Sequence, residues 1–193
     1  LYGIKVKLKK TEDVWHKDVR LYEIYDKKNN LRGKFYFDLY ARQNKRGGAW
    51  MDECIQRREK LNGKIQSPVA FITCNSSPPT KKSPAFFTHY DVETLFHEFG
   101  HGLQHMLTTI NYAGISGISG VEWDAVELPS QFMENWCWEK NVLDTFAFDY
   151  KTKKKLPSAL LKKLLATKNY NTGLALLRQI EFSLFDFLLH MDE

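Results

Sequence analysis

The chain has 193 residues, room for one domain with a sizeable core, and an ordinary globular composition that is 43% hydrophobic and 14% aromatic. The formal charge is +5, with lysines bunched in 7–10 and 151–155; such runs read as solvated faces, and a nucleic-acid partner is not expected. No apolar run reaches the ~18 residues a membrane span needs, and Cys54, Cys74 and Cys137 form no Cys-x-x-Cys, which excludes a thiolate zinc site and suits a reducing compartment.

Residues 1–75 read mostly as strands. Tyr2 to Leu8 alternates, and Val19 to Tyr25 and Lys34 to Tyr40 are rich in Val, Ile, Tyr and Phe. Asp26-Lys27-Lys28-Asn29-Asn30 between the last two predicts a hairpin turn and an antiparallel pair. Ala49 to Cys54 and Val69 to Cys74 predict two more short strands, with Gly47-Gly48 marking a turn before the first. A strand edge here could bind an extended peptide by backbone pairing, or the sheet could be purely structural.

Asn75 to Pro84, with its Ser-Ser-Pro-Pro and Lys-Lys-Ser-Pro runs, is a loop that divides the β-rich part from a helical remainder over 85–193. A helix is expected from about Asp91 to Leu107, with Asp91 as a cap. Gly114 to Gly120 repeats glycine every three residues without the Lys-Ser/Thr of a phosphate loop. It reads equally as a mobile loop beside a cleft or as a plain connector. Asp124 to Trp138 predicts a second helix, bent or opened by Pro129. Pro157 could start a helix running to about Ala166, and Asn171-Thr172-Gly173 a last one with Leu174, Leu177, Ile180, Leu184, Phe185 and Leu188 as packing residues. The class is therefore α+β, mainly α, with a small N-terminal antiparallel β-sheet followed by helices.

The chemistry concentrates in Leu95-Phe96-His97-Glu98-Phe99-Gly100-His101, which contains His-Glu-x-x-His. Residues four apart share a helix face, so His97 and His101 can present two imidazoles to one metal ion. Val92, Leu95, Phe96, Phe99, Leu103, Met106 and Leu107 form the apolar stripe, while Glu93, His97, His101 and His105 lie opposite. Glu98 sits about 100° round from His97, where a general base belongs. Glu127 follows His101 by 26 residues and could complete a His-His-Glu zinc site from the second helix. Taken alone, a His pair on a helix also occurs as a surface feature, and a helix-borne Glu is usually solvated.

Two imidazoles and a carboxylate leave one coordination position for water. Zinc and Glu98 would activate that water for attack on an amide. Histidine ligands usually donate their second N–H to an acceptor, and Glu93, Asp124 and Glu134 are the candidates. His105 reads as a supporting or structural histidine, since a fourth protein ligand would close the open position. His16, His89 and His190 have no ligand spacing.

With these residues assembled, the chain resembles the thimet-oligopeptidase (M3) family of zinc metallopeptidases. The segments that carry the resemblance are Phe35 to Arg42, Gly47 to Asp52, Leu95 to Gln104 and Trp123 to Trp136. It implies a zincin, gluzincin-like core spanning 1–193 and one Zn2+ held by His97, His101 and Glu127, with Glu98 as base. It also implies cytoplasmic cleavage of short peptides rather than folded proteins. The family's Gly- and Tyr-rich substrate loop and its channel-walling helices lie outside these residues. The expectation is thus a fragment that depends on the remainder of the full-length peptidase, binds zinc, and hydrolyses peptides weakly or not at all. The rival readings are another zinc peptidase class, such as a metallocarboxypeptidase, a non-catalytic zinc or peptide-binding module, and a basic nucleic-acid binder.

Overall fold

The computed structural model describes residues 2–10 and 13–191. Seven strands come first: β1 (Lys5–Lys9), β2 (Arg20–Tyr25), β3 (Leu31–Tyr40), β4 (Trp50–Ile55), β5 (Arg58–Glu59), β6 (Ile65–Gln66) and β7 (Val69–Ser76). Five α-helices follow: α1 (His89–Leu107), α2 (Leu128–Glu134), α3 (Lys140–Phe146), α4 (Ser158–Thr167) and α5 (Thr172–Met191). The architecture is α+β. The chain divides into two compact units, Leu1–Cys137 and Trp138–Glu193.

The first unit holds a five-stranded sheet in the order β1-β2-β3-β7-β4, with β5 and β6 forming a separate small ribbon. The expected β2–β3 hairpin forms around the Asp26 turn, where the Asp26 carboxylate accepts from the Lys28 and Asn30 amides. The sheet is not purely antiparallel, as the alternation of its strands had suggested. β3 and β7 pair in parallel, and β4 then pairs antiparallel on the far side of β7. A parallel pair needs a long crossover, and the chain supplies it by running out through β4, β5 and β6 before returning as β7.

α1 packs across β7, β3 and β4. Ile24, Phe35, Ala70 and Ile72 from the sheet meet Leu103 and Met106 from the helix in a closed core. Leu95, Phe96, Phe99 and Leu107 pack round it, which is the stripe the sequence places on one side of the helix. Each fully buried Ile, Leu, Phe or Met of that core stabilises the unit by roughly 1.5–3 kcal/mol. α1 starts two residues earlier than its periodicity implies. Thr88 is the N-cap, and Asp91 is the third helical residue that completes a capping box with it.

On the other sheet face, Trp15 lies against Tyr36 and Phe71 and donates to Asp38. Asp38 is buried and also accepts two hydrogen bonds from Arg42 and one from Lys45. Burial alone would raise its carboxyl pKa, but these three donors hold it well below the usual carboxylate range.

The second helix differs from its expected span of Asp124 to Trp138. Residues 123–127 form turns, α2 covers only Leu128–Glu134, and Asn135–Trp138 tightens into a 3-10 turn. Pro129 explains the start: it lacks an N–H and fixes φ, so it fits only the first turn of a helix. In the second unit, α3 was not visible in the sequence pattern. α4 begins at Ser158 with Pro157 as its N-cap rather than its first residue. No residue of α5 is buried, so its leucines are not the packing residues the sequence suggested within the described chain. Among the described residues, no helix is long and apolar enough to cross a membrane.

Candidate metal centre

α1 carries His97, Glu98 and His101, and α2 is brought against it at Gly100. A Cβ on Gly100 would lie 2.5 Å from the Pro129 carbonyl oxygen and 2.6 Å from the Ser130 Cα. The missing methyl therefore sets the closest approach of the two segments. That approach brings the residue just before α2, Glu127, across the two histidines.

Glu127 occupies the N-cap position, yet its side chain makes no capping bond to α2. Ser130 instead donates to both the Glu127 carbonyl and its Oε2. The carboxylate is thereby aimed at α1, with Oε2 3.1 Å from the Nε2 of His97 and 3.1 Å from the Nε2 of His101. Two donor atoms bound tetrahedrally to one zinc at ~2.0–2.1 Å would be about 3.3 Å apart. The spacing and the two-nitrogen, one-oxygen donor set fit such an ion. Among the described residues, His97, His101 and Glu127 are the one group of three or more such side chains arranged to hold a metal.

The electrostatics agree with that fit. Burial pushes the His101 pKa below that of an ordinary imidazole, even though Glu127 pulls the other way, so the neutral, metal-binding form is favoured. Burial would raise the Glu127 carboxyl, but the Ser130 hydroxyl and the two histidines lower it overall, keeping it a carboxylate.

Glu98 is buried, 6% exposed, and points to the same centre. Burial raises its pKa and the charge on Glu127 adds to the rise, while His97 and the Met51 backbone on β4 oppose it. A carboxylate of raised basicity beside a potential water position has the properties of a proton acceptor.

Of the three acceptors considered for the second imidazole nitrogens, Glu134 is the one found: its Oε1 is 2.5 Å from His97 Nδ1. Asp124 is exposed. Glu93 exerts its charge on His89 and Cys137. His105 is fully buried and its Nε2 lies 3.0 Å from the Ile55 carbonyl, so it braces β4 and does not join the metal centre. Three contributors lie outside the residues singled out by sequence: Gly100, Ser130 and the Met51 amide. Gly100 carries a signal, since glycine inside a helix costs about 1 kcal/mol against alanine and so marks a close contact. Ser130 and Met51 act through positions that no spacing rule specifies.

The whole of residues 1–193 matches the sequence model of Peptidase family M3. The chain belongs to that family. Oligopeptidase A of Escherichia coli is 61% identical over 192 residues, covering 100% of this chain and 28% of that protein. The organellar oligopeptidase A of Arabidopsis thaliana is 48% identical over 181 residues, 92% of this chain and 23% of the relative. The dipeptidyl carboxypeptidase of E. coli is 35% identical over 190 residues, 98% of this chain and 27% of the relative. The M3 chain thus spans about a quarter of the length of these relatives.

Proposed function

We propose that these residues form the zincin core of a zinc-dependent oligopeptidase that cuts short peptides internally. The observation that carries this reading is the single Glu127 oxygen lying 3.1 Å from both imidazole nitrogens, with the buried Glu98 carboxylate beside them. His97, His101 and Glu127 would hold the ion, with Glu134 fixing the His97 ring through Nδ1. A bound zinc ion would supply Lewis acidity, polarising a peptide carbonyl and acidifying a water molecule.

Glu98 takes the proton from the attacking water and returns it to the departing amine, so one carboxylate acts in turn as base and acid. β4 is the edge strand nearest Glu98, and it offers one unpaired side to an extended peptide backbone. The remainder of a full-length chain completes the substrate channel. The three cysteines are free thiols, in keeping with a cytoplasmic setting.

Elemental analysis of the purified chain tests the ligand set. About one zinc per chain, with most of it lost in Glu127→Ala, is the expected result. Equal zinc content in the two would reject Glu127 as a ligand. Product mapping on a mid-length peptide with the full-length protein tests the activity: internal cuts support the reading, and stepwise release from the C-terminus assigns the protein to carboxypeptidase chemistry instead.

A further inference from the structure

β4 ends beside a loop that the catalytic chemistry does not use. β7 borders the strand on one side only, and the β4–β7 register shifts between Glu53 and Ile55. The ladder is therefore irregular where β4 leaves the sheet. Two features of 104–120 take over there. His105 of α1 meets the Ile55 carbonyl, which can only accept, so Nε2 carries the proton and donates. Ser119, in the Gly114–Gly120 segment, donates to Glu53 Oε2 at 2.7 Å and accepts from Gln56 Nε2 at 2.9 Å. Gln56 closes the ring by donating to Glu53 Oε1 at 2.7 Å.

The segment that presents Ser119 is itself fixed. Ser116 is fully buried and donates to the Ile110 carbonyl. Gly117 has φ +68°, and a Cβ there would lie 2.5 Å from His105 Nδ1. Glycine is required at that position both for the backbone angle and for the contact. The glycine-rich stretch is thus tied to α1 and β4 by specific contacts.

β4 is consequently held to α1 at its exit end, Ile55 on His105, and the Ser119 ring locks that point from the side. A peptide laid on an edge strand inherits its register from that strand, and a slip of two residues moves the scissile bond by about 7 Å.

We propose that Ser119 is a positioning residue for substrate register: by joining Glu53 to Gln56 it fixes the exit end of β4 and so selects which peptide bond lies over the metal centre. This rests on the peptidase reading and deepens it.

The test uses the full-length protein with Ser119→Ala and Ser119→Thr, a quenched-fluorescence peptide for kinetics, mass spectrometry of the products and zinc analysis. Ser119→Ala should keep its zinc and most of its kcat, raise KM roughly tenfold, the scale of one hydrogen bond to a charged group, and spread cleavage to neighbouring bonds. Ser119→Thr, which retains the hydroxyl, should restore the single-bond pattern. If Ser119→Ala does not fold, Gln56→Ala, which removes one arm of the ring from a partly exposed position, should shift the product ratio in the same direction. An unchanged KM and product pattern would overturn the proposal. So would a loss of kcat in step with lost zinc and an unchanged pattern, since that marks a merely structural contact. A wild-type protein that holds no zinc and cuts nothing would instead bring down the peptidase reading, and this proposal with it.

Discussion

The two edges of the sheet are built on opposite principles. β1 is exposed along its whole length and carries Lys5, Lys7 and Lys9. Lys9 reaches Glu23 at 3.8 Å and Lys7 lies over the Tyr25 ring, both weak surface contacts. Charged edges of this kind deter pairing with other chains. β4 has no lysine, and its approach and exit are both tied down. Asn75 donates to the Arg46 and Gly48 carbonyls before the strand, and His105 and Ser119 secure its end. An edge that repels strands can be left loose, whereas the proposed function asks β4 to hold a peptide in register and so to be rigid.

Breaking the chemistry next to the β4 edge should have the largest effect. Glu98→Gln in the full-length protein should lower kcat by about 10²–10⁴ while zinc content stays at the wild-type level. Steady-state kinetics beside elemental analysis checks it, and wild-type turnover in the variant would remove Glu98 from the mechanism.

Next is the anchor before β4. Asp38→Asn strips the charge partner from the buried Lys45 and from Arg42, and should cost about 3–5 kcal/mol, on the order of 10 °C in Tm. The sign of its pH dependence follows from a folded-state pKa held below the unfolded one. The contribution is complete above the ordinary carboxylate pKa and is lost as pH falls below about 4. Chemical denaturation of both proteins between pH 7 and 3 should therefore show the gap narrowing with acidity; a constant gap would contradict the assignment.

Gly117→Ala should cost about 1–3 kcal/mol, because it forces a side chain into a left-handed backbone against His105. Thermal unfolding measures the loss, and it should exceed that of alanine at Gly47, where a Cβ would meet nothing. The smallest effect belongs to the open edge. Lys7→Glu on β1 should change stability by no more than about 0.5 kcal/mol. A clearly larger loss would mean that β1 is not the passive edge its exposure indicates.

Much of this was legible in the residues. The four-residue spacing of His97 and His101, the apolar stripe of α1 and the Asp26 turn obey local rules, and local rules survive folding. Glu127 was legible as a residue but not in its setting, since the turn over 123–127 and the Pro129 helix start depend on α2 docking at Gly100. The parallel β3–β7 pair was hidden because alternation records which face is buried, not which neighbour a strand takes. The exposure of α5 was equally hidden: an apolar stripe in a sequence marks a face suited to packing, not what packs against it.

Lys45 has a consequence for chemical labelling. Its ammonium shares its three N–H donors among four acceptors within 2.9 Å, the Asp38, Tyr40 and Cys74 carbonyls and the Asp38 carboxylate, and its side chain is only 4% exposed. An amine occupied in this way is shielded from acylating reagents while the sheet stays closed. Its reaction with such a reagent would report the rate at which the approach to β4 opens, a local clock read by mass spectrometry while the freely accessible lysines label at once.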